Sequence, residues 1–246
     1  SYSVTGVQTC ALPISRRVGR AGGTADCGGG EAAEPERDRT AAKEAEREAR
    51  RRVKVLLAHN STYFPGHGGG DKSNRLLMEA LAGRGHEVRV FTRTERFGEA
   101  DQARYLAELD RRGRAYQFDA GAGEVRFELG GVDVRVLAAR PELRAAFQRH
   151  IDEFDPDIIV TSTDDPGQLL FDLAVKAPRA RVVHLVRATI AVPFGPDSSG
   201  ANERKKELLR RADGVVCVSR YVAGYVRQWA RSEEHTSELQ SPNTIS

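Results

Sequence analysis

Between residues 53 and 84 three unlike compositions follow one another in a fixed order. An apolar run, VKVLLA at 53–58, ends in His59 and Asn60. The glycine cluster GHGGG follows at 66–70, and an amphipathic segment begins at Asp71. Leu76, Leu77, Ala80 and Leu81 mark one face of that segment at helical spacing. The order reads as strand, loop and helix, which is how α/β proteins bring backbone N–H groups and a helix N-terminus against an anionic ligand. That unit confines the chain to α/β architectures with at least one parallel crossover.

The rest of the chain repeats the alternation. Gly83 and Gly85 break the first helix, and residues 86–92 return as a strand. Residues 100–112 form a polar helix. Residues 124–129 and 132–136 alternate with period two around Gly130-Gly131, the signature of a β-hairpin. Pro141 suits the first turn of a helix running to Phe154, and Asp155-Pro-Asp157 turns the chain into a strand at 158–161. A helix at 168–176, a strand at 181–186, a helix at 202–211, a strand at 214–218 and a helix at 221–229 complete the order. The pattern predicts an α/β fold, a doubly wound and mainly parallel sheet with helices on both faces.

In such sheets ligands lie beyond the carboxyl ends of the strands. That rule nominates His59 and Asn60, Thr92 and Arg93, Thr161 to Asp165 with Asp164 among them, Arg187 and Ser219. Arg187 is the strongest anion contact among them, because a planar guanidinium at a strand end reaches the cleft. Gly68, Gly69 and Gly70 allow close backbone approach to a ligand, or simply permit a tight turn. His67 stands inside the glycine cluster, in reach of a phosphate. Asp164 and Asp165 are adjacent rather than convergent, and Asp165 is expected to cap the helix after Pro166. Two common motifs are absent. The dinucleotide fingerprint needs a Gly-x-Gly-x-x-Gly turn and an acid ending the second strand, where this chain has Phe91-Thr-Arg93. The P-loop needs Gly-Lys-Ser/Thr after its spacer.

A net charge of +3 over 246 residues carries no nucleic-acid signature. No apolar run approaches the roughly 20 residues that span a bilayer, so no transmembrane segment is expected, with peripheral membrane contact left open. Cys10, Cys27 and Cys217 form neither a disulfide framework nor a zinc spacing, and His59, His67, His86 and His184 are not spaced as metal ligands. No metal and no cofactor is expected, and the setting reads as cytoplasmic.

Four segments are expected. Residues 1–15 and 231–246 resemble translated sequencing-adaptor read-through in opposite senses and stand outside fold reasoning. Residues 16–52 are Gly- and Arg-rich and then a charged Ala/Glu/Arg run without an apolar stripe, which predicts a disordered or loosely helical segment. Residues 53–230 are the folded domain.

Within that domain, VKVLL at 53–57, the glycines at 68–70 and LAGRGHEVRV at 81–90 resemble the opening βαβ unit of glycosyltransferase family 4, which has the GT-B fold. FDPDIIV at 154–160 resembles that family's Pro-Asp lead into a strand, and RADGVVCVSRYV at 211–222 its late Ala-Asp…Val-Ser segment. The resemblance spans residues 53–229 and covers the N-terminal domain. It implies a metal-independent retaining transferase whose substrate is a nucleotide-sugar donor, with an acceptor bound by this domain. Gly68, Gly69 and Gly70 become the donor-phosphate loop, and Ser219 a cleft-edge residue. Where many members carry a histidine, this chain reads Val186-Arg187, so the catalytic-edge role passes to Arg187, with His184 three residues earlier. The family's second, nucleotide-gripping domain is not seen before residue 230, so the chain is expected to be a truncated, inactive piece of a hexosyltransferase-type enzyme. Two competitors remain: a sugar-nucleotide epimerase or dehydrogenase, and a non-catalytic α/β binding domain.

Overall fold

A computed structural model describes residues 52–96, 98–138, 142–163, 165, 167–200 and 202–230. The expectations for residues 1–15, 16–51 and 231–246, and for Pro141 and Asp164, fall outside the described residues.

Eight strands form one sheet: β1 (Lys54–Ala58), β2 (Glu87–Arg93), β3 (Gln117–Asp119), β4 (Glu124–Leu129), β5 (Val132–Leu137), β6 (Ile158–Ser162), β7 (Arg181–Val186) and β8 (Gly214–Cys217). The spatial order is β3-β4-β5-β2-β1-β6-β7-β8. From β5 to β8 every pairing is parallel, with Leu56 opposite Arg89 on one side of β1 and Ile159 on the other. Only the β3–β4 and β4–β5 pairings are antiparallel.

The helices are α1 (Gly69–Ala82), α2 (Glu99–Arg111), α3 (Leu143–Phe154), α4 (Leu169–Ala174), α5 (Glu203–Arg210) and α6 (Arg220–Trp229). Strand pleating divides the core in two. Val55, Leu57, Val90 and Val134 meet Met78 of α1 with Tyr105 and Leu109 of α2. Leu56, Phe91 and Val186 meet Phe147 and Ile151 of α3, Phe171 of α4, Leu208 of α5 and Val226 of α6. Burying one such side chain stabilises by roughly 1.5–3 kcal/mol, so the central strands of the two-faced sheet are covered on both sides. That is why β1, β6 and β7 read as apolar runs rather than alternations.

Local chemistry sets the boundaries. Gly130 and Gly131 both take positive φ, 59° and 79°, in the two-residue turn that joins β4 to β5. Helix α3 stops at Asp155, whose N–H still donates to the Ile151 carbonyl but whose left-handed φ of 46° turns the chain away, and Pro156 forbids continuation. The side chain of Asn202 caps α5 by accepting from Lys205 N, and Ser219 caps α6 by accepting from Val222 N.

Two boundaries differ from the sequence expectation. Helix α1 begins at Gly69 rather than Asp71, so two glycines of the cluster form its first turn. Strand β3 was not anticipated, because its three residues are all exposed and carry no alternation.

Candidate functional site

The chain leaves β1 toward one face of the sheet, into α1, and leaves β6 toward the other, into α4. The crevice at the carboxyl ends of the adjacent strands β1 and β6 is therefore the topological switch point, where open α/β sheets bind ligands. Asn60, just after β1, closes that crevice. Its Nδ2 donates to Asp165 Oδ1 at 2.8 Å, and its Oδ1 accepts from Arg93 Nε, at the end of β2, at 2.7 Å. Asp165 turns its other oxygen to Leu170 N at 2.8 Å and so caps α4 as expected.

Above the crevice the first turn of α1 is held by one carboxylate. Asp71 Oδ2 accepts from His67 N at 2.9 Å and Gly68 N at 3.1 Å. Its Oδ1 accepts from Ser61 Oγ at 3.1 Å and lies 3.2 Å from His59 Nε2. Hydrogen bonding to His59, then to the His67 N–H, holds the Asp71 carboxyl well below the usual carboxylate range despite its partial burial. His59 is 1 % exposed and lies beneath the loop, not on its surface. Its Nδ1 faces Asn74 at 3.4 Å.

The glycines are not there for backbone strain. Gly68 is extended, with φ −139° and ψ 175°, and none of residues 66–70 has a positive φ. A Cβ added at Gly68 or Gly69 would meet nothing within 4 Å. Gly66 differs, since a Cβ there would approach Asp71 Cβ to 2.9 Å. Its smallness serves internal packing. The open space over Gly68 and Gly69, beside the first N–H groups of a 14-residue helix, leaves room for an anion against the backbone.

The remaining candidates scatter around this edge. Arg187, after β7, is partly buried and donates through Nη1 to Ser73 Oγ at 2.7 Å and through Nη2 to Asn74 Oδ1. It thereby ties β7 to α1, a contact over more than a hundred residues of sequence. Thr161 is buried, with its hydroxyl 2.8 Å from His184 Nδ1. Ser219 stands at the exposed carboxyl end of β8, its hydroxyl engaged in the α6 cap. His67 is exposed and its Nε2 lies 3.2 Å from Glu95 Oε1. His184 is stacked on Phe171 with centroids 4.3 Å apart, and burial pushes its pKa down to about 3.

Beside the loop lies a cavity of about 570 Å³, between residues 62–67, the residues after β2 and α2. That size falls within the roughly 300–1,000 Å³ of small-molecule sites. Sequence reasoning missed its α2 wall, because nothing in a polar amphipathic helix distinguishes a solvated face from a cavity wall. The Asp71–His59 contact was missed too. An acid at the third position of a helix that follows a glycine cluster is the available signal for it. Among the described residues, no group of three or more His, Cys, Asp or Glu side chains could hold a metal ion. No described helix is long and apolar enough to cross a membrane.

A doubly wound, mainly parallel sheet, with the glycine-opened helix α1 and a cavity beside it on the β1–β2 side of the carboxyl edge, defines the class: an α/β domain of the nucleotide-binding type of architecture. The family follows from comparison with known proteins. The Glycosyl transferase 4-like domain matches residues 68–237, well over half of the chain, and the protein belongs to that family of glycosyltransferases. The match begins at the N-cap of α1 and ends seven residues beyond Ala230. No curated protein matches the sequence at a significant level.

Proposed function

We propose that this domain forms one wall of the active site of a transferase that moves a sugar from a nucleotide-sugar donor to an acceptor, with retention at the anomeric carbon. Gly68, Gly69 and Gly70 face the donor diphosphate, and the cavity beside them receives the acceptor. One observation carries the reading. The two glycines that open α1 have unstrained backbone and empty space where a side chain would lie. Internal packing does not call for glycine at Gly68 or Gly69, and the bare backbone leaves a phosphate free to approach the first N–H groups of α1.

Arg187 is then a positioning residue. Through Ser73 and Asn74 it fixes the first turns of α1 relative to β7. Asp71 locks the loop amides of His67 and Gly68 from below. The nucleotide is gripped by a second domain closing on the carboxyl edge, where Ile190, Val218 and Tyr221 are exposed. The chemistry uses no metal, and turnover needs both domains. The setting is cytoplasmic, where nucleotide sugars are available as donors.

Gly69→Ala tests the loop. Alanine is the better helix former by up to about 1 kcal/mol, and its Cβ meets open space. Stability is expected to hold or rise while binding of a nucleoside diphosphate sugar weakens. A variant that binds the donor as tightly as the parent overturns the assignment. Sugar transfer by the purified chain alone overturns the need for a second domain, and an inverted anomeric product from the two-domain enzyme overturns retention.

A further inference from the structure

The cavity next to the glycine loop has a lining whose charges are already balanced and paired. We propose that it takes a neutral, polyhydroxylated acceptor, a carbohydrate or polyol, and discriminates against acceptors bearing a carboxylate or phosphate. This rests on the transferase reading and names the acceptor class for the same site.

The lining supplies three carboxylates, Glu95, Asp101 and Glu108, and three guanidiniums, Arg104, Arg111 and Arg112. Each guanidinium is engaged by a carboxylate of the same wall. Arg111 grips Glu108 with two bonds, Nε to Oε2 at 2.8 Å and Nη2 to Oε1 at 2.7 Å. Arg112 Nε reaches the same carboxylate at 2.5 Å, and Arg104 stands 3.7 Å from Asp101. The two arginines hold the Glu108 carboxyl below its ordinary range. Glu95 is bridged by His67 of the glycine loop, and Asp101 also accepts from Arg96 N at 2.8 Å.

An anionic ligand that approaches a guanidinium here also meets the Glu108 or Asp101 carboxylate paired with it, and that like charge opposes it. A sugar hydroxyl has no such conflict. It donates to a carboxylate and accepts from a guanidinium at once, so it inserts into existing pairs without separating them. Pro65, Ala107 and the ring of Tyr105 interrupt the charged lining with apolar surface, which suits the C–H face of a pyranose. The cavity shares Gly66 and His67 with the glycine loop, so a polyol filling it ends beside the loop with a hydroxyl at the donor.

The test is amide NMR on the full chain, titrated at constant ionic strength with maltose, glucuronate and glucose 6-phosphate. Maltose is expected to shift the amides of Thr94, Tyr105 and Glu108. The two anions are expected to bind there about twofold to fivefold more weakly, the size of one exposed ion pair broken. Glu108→Gln, which loosens Arg111 and Arg112 without changing shape, is expected to narrow or reverse the preference. Three results overturn the proposal: an anion binding the parent cavity as tightly as maltose, no shift at these amides with maltose up to about 100 mM, or an unchanged preference in Glu108→Gln. A parallel titration with a nucleoside diphosphate sugar reads the amides of Gly68, Gly69 and Gly70. If those respond while the polyol preference fails, the acceptor class is wrong and the transferase reading stands.

Discussion

Replacing His184 with phenylalanine separates a structural histidine from a cleft histidine. His184 is 2 % exposed, its Nδ1 is 2.8 Å from Thr161 Oγ1, and its ring lies nearly parallel to Phe171, at 13°. Burial pushes its pKa down to about 3, against about 6.5 in an unfolded chain. The folded state thus resists protonation while the unfolded state accepts it. The stability this confers is complete above pH 6.5 and is lost as the pH falls through the interval toward 3. Between pH 7.5 and pH 5 the loss is about 2 kcal/mol from this one group, or roughly 1 M in urea midpoint for a domain of this size. His184→Phe keeps the stacking and cannot titrate, so the difference in pH slope between the two proteins isolates the effect. Urea unfolding by circular dichroism, run for both at each pH, measures it. Parallel loss of stability in the two proteins, or an imidazole signal of His184 that titrates near 6.5, refutes the argument.

Two further outcomes follow from contacts around the site. Asp71→Ala removes the acceptor for the His67 and Gly68 amides and the partner of His59. A loss of about 2–4 kcal/mol is expected from the cap and the orphaned buried group. Because its pKa is depressed, the contribution of Asp71 is present above about pH 4 and fades only as acid reaches the folded value, so the variant should show a shallower acid limb in a pH series of melts. Gly195→Ala puts a Cβ 2.3 Å from Tyr225 Oη at a φ of +82°. The expected cost is above about 3 kcal/mol, and a melting temperature within a few degrees of the parent would contradict that packing.

Much of the fold was legible because parallel strands buried on both faces leave continuous apolar runs, as in residues 54–58 and 181–186. The hairpin was legible because a Gly-Gly pair readily takes two positive φ values in succession. Strand β3 was not, since its pairing with β4 is made by backbone alone. The edge rule placed Asn60 and Arg93 beside one another at the switch point, yet it also nominated Thr161. Pleat parity turns that hydroxyl toward His184 and α4. Nor could sequence supply the reach of Arg187 to Asn74, because their proximity is a product of the sheet order. The glycine cluster was legible as the opening of α1, but its backbone geometry was not. Only backbone angles separate a turn that needs glycine from a surface that must stay bare.

The central claim is that the bare first turn of α1 faces the diphosphate of a nucleotide sugar. The direct measurement is amide NMR of the glycine-labelled two-domain enzyme titrated with nucleoside diphosphate sugars, with the unphosphorylated nucleosides as controls. The account predicts shifts at Gly68, Gly69 and Gly70 with the diphosphates alone, lost when Gly69 is alanine. Unmoved glycine amides, or equal responses to nucleoside and diphosphate, would contradict it.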